Sequence, residues 1–211
     1  MKADSLRLGI WHAFQLLVGG TLGKRRLALS RYGGQRRVLE IGCATGNVSA
    51  AFRRFSPVEF VGLDIDAAAV EQARRRFAGD SRFRFVVGEA GDLSAEERCF
   101  DYVLLAGVLH HMDDLAAAEL TASAARLVAP GGILLAYEPM PPAADAPWVV
   151  RLYGRIERGD WLRPPADLVA LLRAHAAGLA LVDASEHPIA PFLGKYPQCA
   201  RFAVVSLRRP T

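Results

Sequence analysis

Short apolar runs alternate with helical periodicities along most of the chain. Leu6, Ile10, Phe14 and Leu17 recur at helical spacing, with Ser5, His12 and Gln15 elsewhere on the wheel, so the first segment reads as an amphipathic helix closed by Gly19-Gly20. A second helix is expected over 23–32, ended by Gly33-Gly34. From Arg36 onward, strand-sized runs at 38–41 (VLEI), 59–64 (EFVGLD), 82–87 (RFRFVV), 102–107 (YVLLAG) and 133–138 (ILLAYE) predict five strands. Helical patterns fall between them, at about 47–55, 67–77 and 115–128. Four of those five runs are nearly all apolar, as strands covered on both faces must be. The alternation predicts a parallel sheet with right-handed crossovers and helices on both sides, a three-layer α/β/α arrangement.

The pattern changes after Glu138. Prolines at 139, 141, 142, 147, 164 and 165 interrupt regular packing, so 139–165 reads as an insertion that encloses one helix at 148–157. A helix over 165–177 then leads to 180–186 (ALVDASE) and 200–207 (ARFAVVSL). The link between these two runs is short, so they are expected to pair antiparallel at the sheet edge.

Composition narrows the class. A chain of 211 residues with 52% hydrophobic and 23% charged positions can build one ordinary core, which fits a single domain spanning 1–211, with 1–35 as capping helices. Cys43, Cys99 and Cys199 are odd in number and form no CxxC pair, which speaks against a disulfide framework or a zinc site and fits a reducing, cytoplasmic setting. Net charge is +4, but the basic residues are spread along the whole chain and all except Lys2, Lys24 and Lys195 are arginines. That reads as compositional bias before it reads as a nucleic-acid surface. The longest unbroken apolar run, 102–109, is strand-sized, against the ~20 residues a membrane span needs. Residues 8–23 lack formal charge, but His12 and Gln15 interrupt them and no A-x-A site follows, so they do not read as a signal peptide.

The strongest local signal is Glu40-Ile41-Gly42-Cys43-Ala44-Thr45-Gly46-Asn47, where a buried strand enters a small-residue bend. Small residues let a ligand approach the backbone, and free amides at a helix start favour polar groups. Any tight strand-to-helix turn would share part of this pattern. The spacing lacks the glycines of a G-x-G-x-x-G dinucleotide fingerprint and the Gly-Lys-Ser/Thr of a phosphate loop. Asp64 ends the next strand about 20 residues on, where a carboxylate can accept from a ribose diol. Asp66 is the better candidate for capping the helix that follows.

Together these residues resemble the class I S-adenosylmethionine-dependent methyltransferases, in motif order over about 36–138. Glu40, Gly42, Ala44 and Gly46 match that family's acidic, glycine-rich turn, with Ala44 in place of its middle glycine. Pro130-Gly131-Gly132 is similar to its turn into strand five. The resemblance implies a Rossmann-like sheet and S-adenosylmethionine as cofactor, with S-adenosylhomocysteine as product. In that reading Glu40 orients the methionine end, Cys43 contributes its backbone, Asp64 holds the ribose, and Ile65 packs on the adenine. Glu89 and the Ala90 backbone meet the adenine amine, with Asp92 as the rival acid. The exit of the fourth strand, from Ala106 and Gly107 to His110, His111 and Met112, resembles the small-molecule members, including quinone-pathway enzymes. It lacks the Asn/Asp-Pro-Pro-Tyr/Phe tetrapeptide of base-amine methylases.

His110 and His111 are the titratable pair nearest the expected cofactor, and adjacent residues in an extended segment point different ways, so one of them is expected to face the methyl group. The other reading is that they shape the pocket. Trp148, Tyr153 and Trp161 are candidates for stacking on a flat acceptor, or for filling space under the insertion. The implied activity is methyl transfer to a small organic acceptor. The arginine content keeps rRNA or tRNA methylation as an alternative, and a cofactor-binding regulator without turnover is another. The amphipathic first helix leaves room for a membrane-surface acceptor; monomer and homodimer both fit.

Overall fold

The computed structural model describes residues 20–56, 59–93, 100–143, 145–146, 148, 151, 159–189 and 200–211. The first amphipathic segment, most of the helix expected at 148–157, and Tyr153, Cys99 and Cys199 lie outside them. Among the described residues, one helix precedes the sheet, α1 (Gly20–Ala28). It starts and ends earlier than the sequence suggests, because the backbone tightens after Ala28, where Ser30 N–H bonds Leu27 and Tyr32 N–H bonds Leu29.

Seven strands form one sheet: β1 (Arg37–Ile41), β2 (Glu59–Asp64), β3 (Phe83–Val87), β4 (Phe100–Ala106), β5 (Val128–Pro139), β6 (Ala180–Ile189) and β7 (Ala200–Arg208). Their order is β3-β2-β1-β4-β5-β7-β6. The first five run parallel, as the βα alternation requires. The expected antiparallel pair closes the edge, and β7 lies inside it, against both β5 and β6. Helices α2 (Ala67–Arg76), α3 (Asp114–Leu127) and α4 (Pro165–His175) complete the layers. Asp66 caps α2 by accepting from the amides of Ala68 and Ala69.

Strand alternation sorts side chains onto two faces. Val38, Phe60, Tyr102, Leu104, Leu135 and Tyr137 pack with α1 and α2. Leu39, Ile41, Leu63, Val103, Leu105 and Ala136 pack with α3 and α4. Between β1 and β2 the expected helix is instead a run of turns and a 3-10 helix, Ser49–Arg54. Too few residues separate Gly46 from Pro57 to offset the cost of nucleating an α-helix, and i→i+3 bonds such as Ala51 N–H to Val48 win.

Candidate active site

Sheet order reverses between β1 and β4, and ligands of open α/β sheets settle beyond the strand ends at such a reversal. A cavity of about 760 Å³ lies there. Four strand exits build it: Gly42 and Ala44 after β1, Asp64 and Ile65 after β2, residues 88–91 after β3, and Gly107, Val108 and His111 after β4. The remaining wall is one stripe of α3, where Ala116, Glu119, Leu120 and Ser123 fall at i, i+3, i+4 and i+7. That stripe is readable in the sequence as a helical face, but nothing local ties it to a ligand.

The bend after β1 turns through three left-handed residues, Gly42 (φ +77°), Ala44 (φ +45°) and Gly46 (φ +74°). Ala44 is the one non-glycine with positive φ among the described residues, a conformation that costs an L-residue roughly 1–2 kcal/mol. Glycine is required at 46 for space as well, since a Cβ there would lie 2.7 Å from the Phe77 ring. The amides of this bend are not free, contrary to the sequence-based expectation. Gly42 and Cys43 donate to the Leu63 carbonyl (2.8 and 3.1 Å), Gly46 to Cys43 (2.9 Å), and Ala44 to Asp64 Oδ2 (2.7 Å). The bend spends its donors on holding β2 and Asp64, because no full helix follows to leave a set of unpaired N–H groups.

Asp64 is therefore a prepositioned acceptor. Ala44 N–H meets one of its oxygens and Asp66 N–H the other (2.9 Å), and a carboxylate accepts up to about four hydrogen bonds, so lone pairs remain for a ligand. Ile65 stands beside it on the cavity rim, 74% exposed. On the third exit Glu89 and Ala90 line the cavity, while Asp92 turns back and accepts from the Glu89 amide (2.9 Å).

Glu40 and Cys43 lie below this surface. Glu40 is buried on the α1 face, accepts from Ser49 Oγ at 2.5 Å, and is pushed by burial from its usual 4.5 up to about 8. It is thus mostly neutral at pH 7. Burial, followed by the nearby Glu40 and Asp64 charges, raises the Cys43 thiol far above its ordinary range, which leaves it inert. Ala106 is half-buried at the end of β4, and Gly107 (φ +69°) lines the cavity.

The exit of β4 is held by long-range partners that the sequence reading did not join. Glu138 at the end of β5 is buried; its Oε1 accepts from the amides of Val108 and Leu109 (2.9 Å each). Its Oε2 meets the His110 amide at 3.3 Å and His110 Nδ1 at 2.7 Å. The His110 ring is therefore fixed under the surface, and its neighbour His111, with ring centroids 3.9 Å apart, reaches the cavity.

Arg163, absent from the sequence-based candidates, ties the far end of the insertion to the same turn. Its guanidinium donates to the carbonyls of Leu109 (2.8 Å), Met112 (3.0 Å) and Trp161 (3.3 Å), and to Asp114 Oδ1 (2.8 and 3.0 Å). The Trp161 amide bonds the His110 carbonyl (3.1 Å), and Gly159 packs so closely that a Cβ there would fall 2.1 Å from the His110 ring. Val108 also touches the bend after β1, since a Cβ at Gly42 would lie 2.8 Å from its Cγ2.

The structure does not bring Trp148 or Trp161 to the cavity. Trp148 is 70% exposed, and Trp161 lines a separate depression with Asp114, Asp160 and Asp167. Among the described residues, no group of three His, Cys, Asp or Glu could hold a metal ion, and no helix is long and apolar enough to cross a membrane.

Comparison with known proteins points the same way as the motif order. Residues 38–132 match a family described as a methyltransferase domain. A phthiotriol/phenolphthiotriol dimycocerosates methyltransferase of Mycobacterium ulcerans is 32% identical over 120 residues, 56% of this chain and 43% of that protein. A fatty-acid O-methyltransferase of Mycolicibacterium smegmatis is 36% identical over 117 residues, 53% of this chain and 40% of its own length. The match thus spans about two fifths of each of these relatives. The structure of the N-methyltransferase NodS from Bradyrhizobium japonicum with S-adenosylhomocysteine is similar in fold, with TM-score 0.63 and 20% identity over 90% of this chain and 86% of that one.

Proposed function

From the match of residues 38–132 to a methyltransferase domain, we propose that this chain is a class I S-adenosylmethionine-dependent methyltransferase that transfers a methyl group to a small organic acceptor. The observation that carries the reading is the cavity at the β1/β4 reversal, with Asp64 held at its mouth by two backbone amides and an exposed Ile65 beside it. The cofactor would supply a sulfonium-activated methyl group, open to in-line attack by the acceptor with the neutral thioether of S-adenosylhomocysteine as leaving group.

Asp64 would take the two ribose hydroxyls on its remaining lone pairs, and hydrogen bonds to a charged acceptor contribute about 1.5–3 kcal/mol. Ile65 would cover one adenine face, and Glu89 would accept from the adenine amine at the third strand exit. Gly42, Ala44 and Gly46 would shape the bend along the cofactor, with Ala44 presenting its methyl to the ligand. Glu40 would meet the cationic methionine end. A neutral buried carboxyl gains most from becoming charged there, so cofactor binding below pH 8 would release a proton from it.

On the acceptor side, Glu138 and His110 hold the turn, and His111 is the side chain that would face the methyl group. Positioning two reactants is worth about 7–11 kcal/mol, against 10²–10⁴-fold for a general base, so orientation of the acceptor is the main task of this half. Two matched relatives are named for fatty-acid and dimycocerosate substrates, so lipid-like acids and alcohols head the acceptor panel. Incubation with radiolabelled S-adenosylmethionine and that panel tests the reading. Labelled product with one acceptor class is expected, and turnover restricted to structured RNA would replace the small-molecule reading.

A further inference from the structure

Outside the cavity, two arginines from different elements meet at Asn47, and a third joins them through the backbone of one of the two. Arg25 of α1 donates from Nε to the Asn47 carbonyl (2.8 Å), and Arg76, at the end of α2, donates from Nη1 to Asn47 Oδ1 (2.5 Å). Arg53, in the 3-10 helix, donates from Nη2 to the Arg76 carbonyl (2.6 Å) and lies 4.1 Å above the Phe77 ring. None of the three makes an ion pair with a carboxylate among the described residues, whereas Arg37, Arg74, Arg75, Arg82, Arg163 and Arg201 all do. Like charges held together without a counter-charge oppose folding. The Arg76 guanidinium is held below its ordinary range, first by partial burial and then by the charges of Arg25 and Arg53.

Arg25 is half-buried, whereas Arg53 and Arg76 are exposed. Each is anchored through one nitrogen, so much of the rotamer entropy that a ligand would otherwise have to remove is already lost. A guanidinium carries five N–H donors, and the anchors leave both terminal nitrogens of Arg25, Nε and Nη2 of Arg76, and Nε and Nη1 of Arg53 without partners among the described residues. We infer that Arg25, Arg53 and Arg76 form an anion site that takes a phosphate group. Three cations suit a dianionic, multi-oxygen group better than a single carboxylate, and forked N–H donors match phosphate geometry. Neither Asn47 nor any of the three arginines lines the cavity, so this site is distinct from the one proposed for the cofactor and does not depend on methyl transfer.

Inorganic phosphate is the first probe, titrated calorimetrically into the full chain at low ionic strength, in the presence and absence of S-adenosylhomocysteine. Saturable binding is expected, about ten-fold or more weaker in the Arg53→Gln/Arg76→Gln double variant. The Arg53→Lys/Arg76→Lys double variant, which keeps the charge, should fall between, and Arg201→Gln should match wild type. Thermal melts of each variant separate lost binding from lost fold. Vesicles of phosphatidylcholine with and without phosphatidic acid identify the source. Capture by the acidic vesicles that phosphate competes away assigns the group to a lipid headgroup, and phosphate binding without capture assigns it to a free phosphate ligand. Unsaturable binding, equal affinity in the glutamine double variant, or competition between phosphate and S-adenosylhomocysteine would overturn a separate site.

Discussion

Asp64 and Glu138 are both carboxylates at the ends of parallel strands, yet they are held in opposite ways. Two amides from neighbouring loops steady Asp64, which keeps lone pairs for the cavity. Glu138 is buried under three amides and an imidazole. The side proposed for the cofactor is built by strand-exit turns and stays open, whereas the side proposed for the acceptor is a closed clamp joining β4, β5 and the segment at 159–163. Changes on the first side should alter what binds. Changes on the second should alter how well the turn holds its shape.

The largest expected effect tests the clamp. Glu138→Ala strands the amides of Val108, Leu109 and His110 in a buried place and should lower stability by at least about 3 kcal/mol in urea unfolding. If it leaves stability unchanged while abolishing cofactor binding, the division between the two sides fails. Arg163→Gln should destabilise by about 2 kcal/mol and lower kcat more than it changes the S-adenosylmethionine KM, since it frees the Leu109 and Met112 carbonyls without touching the cofactor wall. A matching rise in cofactor KM would show that the clamp and the bend act as one unit through the Val108 contact with Gly42.

Smaller changes sharpen the cofactor side. Ala44→Gly relieves a left-handed alanine and should stabilise by about 1 kcal/mol by thermal unfolding, less the extra freedom glycine gains when unfolded. Glu40 gives a change of slope. Its pKa is higher folded than unfolded, so the folded chain binds more protons. Stability from this group is fully present below about 4.5 and is lost as pH rises towards about 8. Glu40→Gln should flatten the fall of stability across that window, measured by unfolding at stepped pH.

The same contrast decides what could be read from the sequence. Strands β1 to β5, the bend at 42–46, the end of β2 at Asp64 and the capping role of Asp66 are written in local spacing and turn chemistry, and each was legible. The Glu138–His110–Arg163 clamp was not, because its hydrogen bonds join positions as much as 54 apart and only the sheet order brings them together. Two adjacent histidines invited attention as a pair. Their division into one buried ring and one at the cavity depends on Glu138, which no spacing rule attaches to them. Similarly, the bend was expected to offer free amides because a helix was expected after it, and the short 3-10 helix removed that supply.

The central claim is that this cavity grips an adenosyl cofactor through Asp64. Calorimetric titration of S-adenosylhomocysteine into wild type and Asp64→Ala, with unfolding curves on both, tests it most directly. The account predicts one site per chain in wild type and affinity about ten-fold or more weaker in Asp64→Ala, with the variant still folded. No binding to wild type, or equal affinity in a folded variant, would contradict it.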